Sequence, residues 1–147
     1  MGRILEKTLP YLIGAIPPIL VIYYGIYPSY FVNFKDIMNS TISMGSIAVG
    51  FLAAAITLLP SLNQNPFVIA LKQIGAYEKL MSYLISAIIF LFLISLLSIF
   101  GLLIDTSFNK DVGHIFLIGW SFVFSVAILT TIRVIFSFLK FLIASQK

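Results

Sequence analysis

Four long apolar segments fill most of this 147-residue chain, at residues 9–27, 42–62, 80–104 and 115–134. Each has about the 20 residues that a helix needs to cross roughly 30 Å of hydrocarbon. Lipid offers no hydrogen bonds to a bare backbone, so a spanning segment must be a helix or part of a closed barrel. Continuous apolar runs without alternation favour helices. The sequence therefore predicts an all-α membrane protein, with four transmembrane helices in one domain over residues 1–147.

The amino-acid composition argues against several classes of protein function. Only 10% of the residues are charged, against about 25% in a soluble domain, and the chain has no cysteine for disulfides or thiolate chemistry. No ionisable residue lies at the predicted hydrophobic centres, where a proton-coupled carrier needs one. His114, with Asp105 and Asp111, lies in a predicted outer loop, which we expect to be solvated rather than metal-binding. We therefore expect no enzymatic activity, no cofactor, no metal and no nucleic-acid partner.

The distribution of lysine and arginine predicts the orientation. Two of these residues, Lys35 and Lys110, lie on one predicted side of the membrane. Seven lie on the other side: Arg3, Lys7, Lys72, Lys79, Arg133, Lys140 and Lys147. The positive-inside rule then places both termini and the connector between spans two and three in the cytoplasm. A bacterial inner membrane is the expected location.

Prolines interrupt two of the predicted spans. Pro17 and Pro18 lie near the middle of the first span, where two missing N–H groups leave the carbonyls of Ile13 and Gly14 without partners. A kink or break is predicted there, either to fit a neighbouring helix or to act as a hinge. Pro60 is predicted to bend the inner end of the second span, which would give a second hinge.

The second span carries a stripe of small, weakly polar residues, spaced by 3, 4, 4, 3 and 4 positions: Ser43, Ser46, Gly50, Ala54, Thr57 and Ser61. These spacings place the six residues, called here the small-residue stripe, on one face of a helix. The stripe is predicted to be either a seam where helix backbones pack closely or the wall of a pore in an oligomer. The preceding residues, Asn39-Ser40-Thr41, are predicted to cap the start of this helix.

The cytoplasmic side is predicted to hold more helix. Asn65-Pro66 has the pattern of a helix start, so a short amphipathic helix is expected from Pro66 to Ile74, lying along the cytoplasmic surface and ended by Gly75. The apolar pattern continues beyond the fourth span and predicts a helical tail at residues 135–147. A cytoplasmic protein or signal is expected to act on a basic surface made of Lys72, Lys79, Arg133 and Lys140.

Two stretches carry a resemblance to a known family, SMGSIAVGFLAAAITLL at residues 43–59 and ALKQIGAY at residues 70–77. They resemble a membrane helix and the following cytoplasmic connector of the lambdoid phage Rex exclusion membrane proteins. The four-span layout is also similar to that of small membrane proteins in bacterial phage-defence operons. The resemblance implies an ion channel that depolarises the host membrane when an infection signal arrives.

These observations lead to one functional hypothesis and its rivals. The first is a homo-oligomeric channel or membrane-perturbing effector in the lipid bilayer, with the small-residue stripe lining a pore or central seam. The alternative is a non-conducting accessory subunit that anchors a partner complex. A third hypothesis is a membrane protein that facilitates the passage of small neutral solutes.

Overall fold

The computed structural model describes the backbone of residues 2–61, 66–73, 75–103 and 110–145, and the side chains of residues 8–58, 68–69, 72–73, 75, 77–103 and 110–139. All regular structure in this part of the chain is helical. The helices are α1 (Gly2–Gly14), α2 (Ile16–Tyr24), α3 (Phe34–Ser61), α4 (Pro66–Gln73), α5 (Ala76–Leu103) and α6 (Lys110–Ser145), with a short 3₁₀ turn at Pro28–Tyr30. The all-α prediction is thus confirmed for the described residues.

Among the described residues, three helices are long and apolar enough to cross a membrane. Their apolar segments are Phe34–Leu58, Tyr77–Leu103 and Lys110–Leu139. A shorter apolar segment, Thr8–Tyr24, runs through α1 and α2. These lengths are compatible with a helical membrane protein.

The predicted interruption of the first apolar segment lies at Ala15, between α1 and α2. Pro17 and Pro18 fall in the first turn of α2, where a helix loses little from a missing N–H group. The Ala15 N–H still donates to the Tyr11 carbonyl oxygen at 3.1 Å, and the Ile19 N–H donates to Ala15 at 3.3 Å. Ala15 also keeps helical dihedral angles, φ −77° and ψ −14°. The interruption is therefore mild. The backbone stays close to helical, and it lacks the two hydrogen bonds that Pro17 and Pro18 cannot donate.

Helix α3 begins at Phe34, eight residues before the predicted span. The prediction that Asn39-Ser40-Thr41 caps this helix is wrong, because all three residues lie inside it. The Thr41 hydroxyl is buried and donates to the Ile37 carbonyl oxygen one turn earlier, at 2.8 Å. The physical reason is burial: Phe34 and Met38 both lie in the core, and Met38 is completely enclosed. Burying them requires two further helical turns where the sequence suggested a loop.

The helix predicted after the second span is confirmed as α4. It is followed by Gly75, which has a φ of +65° and donates its N–H to the Lys72 carbonyl oxygen at 3.1 Å. Glycine adopts this left-handed conformation without a steric penalty, so it ends the helix cleanly. The tail predicted from residue 135 is helical as far as Ser145, because α6 continues without a break through Arg133.

Helix α5 is the centre of the packing, with α3 on one side and α6 on the other. Its buried positions recur every three or four residues along the whole helix: Leu80, Leu84, Ala87, Leu91, Ile94 and Ser98. Helices α1 and α2 pack along α6, and α4 packs against α5. A buried bond between helices, from the Trp120 indole N–H to the Ser98 hydroxyl at 2.9 Å, joins α6 to α5.

Two glycines bring helix backbones close together. A Cβ at Gly45 would collide with the Ser95 hydroxyl of α5 and would lie 3.1 Å from the Leu91 carbonyl oxygen. A Cβ at Gly14 would lie 2.6 Å from a methyl group of Val126, where α1 meets α6. Small residues at helix contacts are typical of membrane proteins, because van der Waals packing drives association in lipid.

The N-terminal apolar segment and α6 run antiparallel along their shared length. Thr8 and Arg133 line one cavity at one end of this pair. At the other end, the Ile26 carbonyl oxygen lies 2.8 Å from His114 Nδ1. About 28 Å of helix separates His114 from Arg133 at 1.5 Å per residue. The pair therefore covers close to the thickness of a bilayer's hydrocarbon core.

Candidate functional site

The small-residue stripe lies on the side of α3 that faces away from α5. Its described members, Ser43, Ser46, Gly50, Ala54 and Thr57, are all exposed, and the Ser61 side chain lies outside the described residues. A Cβ at Gly50 would meet no packing partner within 4 Å. The seam within the chain is instead at Gly45, on the opposite side of the helix. The stripe is thus open to lipid or to another chain.

The stripe has a distinct shape and chemistry. Large exposed side chains, those of Ile47, Phe51 and Leu58, flank it along one side. Two of its hydroxyls already donate to carbonyl oxygens of α3, Ser43 to Asn39 at 3.0 Å and Thr57 to Ala54 at 2.9 Å. Such back-bonding satisfies the donor and leaves acceptor lone pairs on each oxygen. The face can therefore meet lipid at low cost and still present oxygen atoms outward.

The predicted hinge positions lie at helix ends. Pro18 is buried where α2 begins, while Pro17 is half-buried. Pro60 lies in the last turn of α3, whose backbone stays helical to Ser61. The Pro60 side chain lies outside the described residues.

The predicted basic surface is divided between two places. Lys72 of α4 is exposed, as expected, and its ammonium lies 5.2 Å from the centre of the Tyr77 ring. Lys79 is half-buried, with its ammonium 5.7 Å from the Tyr83 ring. The Lys140 side chain lies outside the described residues.

Arg133 is directed into the protein rather than onto an open surface. Its guanidinium carbon lies 3.9 Å from the centre of the Tyr83 ring, in a cation–π contact. The two side chains belong to a cavity of about 270 Å³ between α1, α5 and α6. The lining residues all carry polar groups: Thr8, Tyr11, Ser82, Tyr83, Ser86 and Arg133. We call this space the arginine cavity.

The sequence alone did not reveal the arginine cavity. Arg133 was expected on the basic surface, and Ser82 and Ser86 look like ordinary membrane-helix hydroxyls. Thr8 and Tyr11 precede the double proline, and only the packing of α1 brings them to α5 and α6. The available signal was a set of hydroxyl residues in the first and third apolar segments, at the same predicted end as Arg133.

A second cavity, of about 470 Å³, lies between α3, α4, α5 and α6. It is lined by apolar side chains, including Leu52, Val68, Leu84, Val134 and Phe138. Val68 of α4 packs among these apolar lining residues and is almost completely buried. The apolar residues that follow Arg133 therefore pack beside α3 and α4.

His114 lies at the other end of the molecule, where it contacts Ile26 and Tyr27. Its Nδ1 must carry the proton in the contact with Ile26, because a carbonyl oxygen only accepts. Its ring also lies 4.9 Å from the Tyr27 ring. Within the described residues there is no group of three side chains suited to hold a metal ion. Asp105 lies outside that part of the chain.

Comparison of the chain with known protein families, curated proteins and solved structures gives no match.

Proposed function

We propose that the chain is a four-span membrane protein that assembles into a homo-oligomer through the outward face of α3, and that this oligomer conducts ions or otherwise perturbs the bilayer. The observation that carries the proposal is the exposure of the whole described stripe on a helix long enough to span. Within one chain, α3 already uses its other face against α5. The small-residue stripe therefore has no packing role within the described part of the monomer.

The antiparallel contacts support four spans. The N-terminal segment runs beside α6 from Arg133 to His114, over about the thickness of the hydrocarbon core. If α6 crosses the membrane, its N-terminal neighbour crosses with it. The two chain ends then lie on one side, which the excess of lysine and arginine assigns to the cytoplasm.

This topology can be tested by labelling, because the natural sequence has no cysteine. Lys72→Cys should resist a membrane-impermeant thiol reagent added to intact cells and react after the membrane is opened. Lys35→Cys, on the opposite side, should react in intact cells. The reverse pattern would contradict the proposed orientation, and labelling of both positions would contradict a single orientation.

Assembly through the stripe follows from packing in lipid. Small residues let two backbones approach, and the flanking large side chains can fit beside the neighbouring helix. Ala54→Cys should therefore form disulfide-linked dimers under oxidation. Ile89→Cys, at an exposed position of α5 outside the stripe, is the matched control and should form few. Adding Gly50→Leu to Ala54→Cys should suppress the cross-link while the monomer stays folded.

Conduction would follow the hydroxyl side of the stripe. Hydroxyl and glycine surfaces hold water better than leucine surfaces, and without a charged ring such a path discriminates weakly between ions. The resemblance to Rex exclusion proteins suggests the setting, depolarisation during phage infection. A cytoplasmic protein or signal would act on the side of the membrane where Lys72 is exposed.

The functional test is current through purified protein in planar bilayers, combined with membrane potential in expressing cells. Thr57→Val removes an outward hydroxyl at nearly constant volume and should change conductance more than abundance. Thr131→Val is the matched control, because Thr131 makes the same type of bond on α6, to the Ala127 carbonyl oxygen at 2.8 Å. A stable oligomer that passes no current under any trigger would contradict conduction. The accessory-subunit alternative would then be preferred.

A further inference from the structure

The cavity between α3, α4, α5 and α6 is called here the apolar cavity, because every side chain that lines it is apolar. Its volume of about 470 Å³ falls within the range of ligand sites, roughly 300–1,000 Å³. A protein cavity of about 150 Å³ with a similar apolar lining stays dry and binds benzene, since water finds no hydrogen-bond partners there. The apolar cavity is about three times larger, and its lining suits hydrocarbon.

Burial divides the lining of the apolar cavity into a floor and a rim. The floor consists of side chains whose exposed fractions lie between 0% and 5%: Leu52, Val68, Leu84 and Val134. The rim consists of side chains that are 48% to 75% exposed: Phe51, Leu58, Ile135 and Leu139. The floor thus includes residues from all four helices, whereas the rim belongs to α3 and α6 alone. The mouth of the cavity therefore lies between α3 and α6.

In a membrane, this mouth faces lipid rather than water. The four rim residues lie in the segments Phe34–Leu58 and Lys110–Leu139, which are long and apolar enough to span. Val68 of α4 belongs to the floor, so the cavity lies at the end of the bundle where α3 is followed by α4. A molecule that enters between α3 and α6 must then come from the bilayer.

The shape of the mouth indicates the class of molecule. Phe51 and Leu58 lie about 10 Å apart along α3 at 1.5 Å per residue. On α6, the rim residues Ile135 and Leu139 are one helical turn apart. A slot that follows the helices over this length fits a linear hydrocarbon, and the acyl chains of lipids are linear and run along spanning helices. We propose that the apolar cavity binds one acyl chain of a membrane phospholipid.

The proposal rests on the membrane location of the chain, and it requires neither conduction nor contact between copies. It is tested on the purified full-length protein with a phosphatidylcholine probe that carries a photoactivatable diazirine near the end of one acyl chain. The probe is titrated at constant detergent concentration, and mass spectrometry of the cross-linked peptides locates the label. We expect labelling of the rim and floor to saturate. Labelling of Ile89 and Phe92, on the exposed face of α5, should stay weaker and rise in proportion to the probe.

Ala55 provides the variants that locate the binding. Its half-buried side chain lines the cavity, so Ala55→Phe extends an aromatic ring into the space that the acyl chain needs. The affinity for the probe should fall about tenfold or more. Ala55→Leu adds a smaller group and should weaken binding less. Ala53→Phe is the matched control, the same substitution at an exposed position outside the lining, and should change the affinity less than about twofold.

Three results would overturn the proposal. The first is labelling of the lining that does not saturate and equals that of the exposed face of α5, which would indicate ordinary contact with lipid. The second is unchanged affinity in both Ala55→Phe and Ala55→Leu, with each variant shown to be folded by the fluorescence of the single tryptophan, Trp120. The third is labelling of the monomer that is lost in an oligomer, which would assign the cavity to a second copy of the chain. Saturable labelling that both Ala55 variants weaken would support it.

Discussion

Replacing Gly45 with alanine adds one methyl group at the closest contact between α3 and α5. The new Cβ would collide with the Ser95 hydroxyl oxygen and lie 3.1 Å from the Leu91 carbonyl oxygen. Ser95 cannot move freely, because its hydroxyl donates to that same carbonyl oxygen at 2.9 Å. Either this bond is lost or the two helices separate. Gly50→Ala adds the same methyl group to the same helix and meets no packing partner within 4 Å.

The two variants isolate the packing contribution to the free energy of unfolding. Both gain about 0.8–1.0 kcal/mol from the better helix propensity of alanine, so this contribution cancels in their difference. Overpacking a close contact costs about 1–3 kcal/mol, and loss of the Ser95 bond accounts for about 0.5–1.5 kcal/mol of that. Gly45→Ala should therefore be about 1–3 kcal/mol less stable than Gly50→Ala.

A double variant tests the cause. Ser95→Ala removes the colliding oxygen, and its remaining Cβ lies 3.5 Å from the new methyl group, an ordinary contact. Gly45→Ala combined with Ser95→Ala should recover at least half of the loss. Stability is measured by unfolding in mixed detergent and dodecyl sulfate micelles, followed by the fluorescence of Trp120. Equal stability of Gly45→Ala and Gly50→Ala, or no coupling with Ser95→Ala, would refute the assignment of this contact.

Three further predictions concern other parts of the fold and use unfolding in the same micelles, followed by far-ultraviolet circular dichroism because one of the variants lacks the single tryptophan. Trp120→Phe should lower stability by about 0.6–2 kcal/mol, because the buried hydrogen bond to Ser98 joins two helices; a similar loss in Ser98→Ala, not increased in the double variant, would identify that bond as the cause. Gly75→Ala should cost about 1–2 kcal/mol, because φ at this position is +65°, and a neutral result would contradict the left-handed end of α4. Pro18→Ala should not stabilise the protein despite restoring an N–H group, since Pro18 is buried in the first turn of α2; a gain above about 1 kcal/mol would show that the interruption is strained.

Much of the helical structure follows from sequence because its causes are local. Long apolar runs require helices in lipid, the double proline requires an interruption, and Asn65-Pro66 with Gly75 defines the limits of α4. The early start of α3 was not predictable in this way. Asn39, Ser40 and Thr41 have strong capping preferences, but burial of Met38 against the neighbouring helices outweighs them.

The sequence alone does not show which of the two faces of α3 packs against α5. Both faces carry a glycine among uncharged residues, so the spacing of small residues predicts close packing on either. Gly45 lies within the same run as Gly50, yet only Gly45 meets α5. The arginine cavity was hidden for a different reason, since its hydroxyls come from α1 and α5 and its arginine from α6, and these three helices are distant in sequence.

If the proposed assembly takes place, the two faces of α3 have separate roles, one in folding and one in contact between chains. A membrane helix gains little from the hydrophobic effect against lipid, so each neighbour must be held by close fit and hydrogen bonds. The Gly45 face provides such a fit inside the chain, and the small-residue stripe offers the same kind of surface on the outside. Damage at Gly45 should therefore reduce both stability and oligomer formation. Gly50→Leu should reduce oligomer formation alone, because nothing within the monomer depends on that space. If Gly50→Leu also unfolds the monomer, the outward face supports the fold itself, and assembly through it would have to be abandoned.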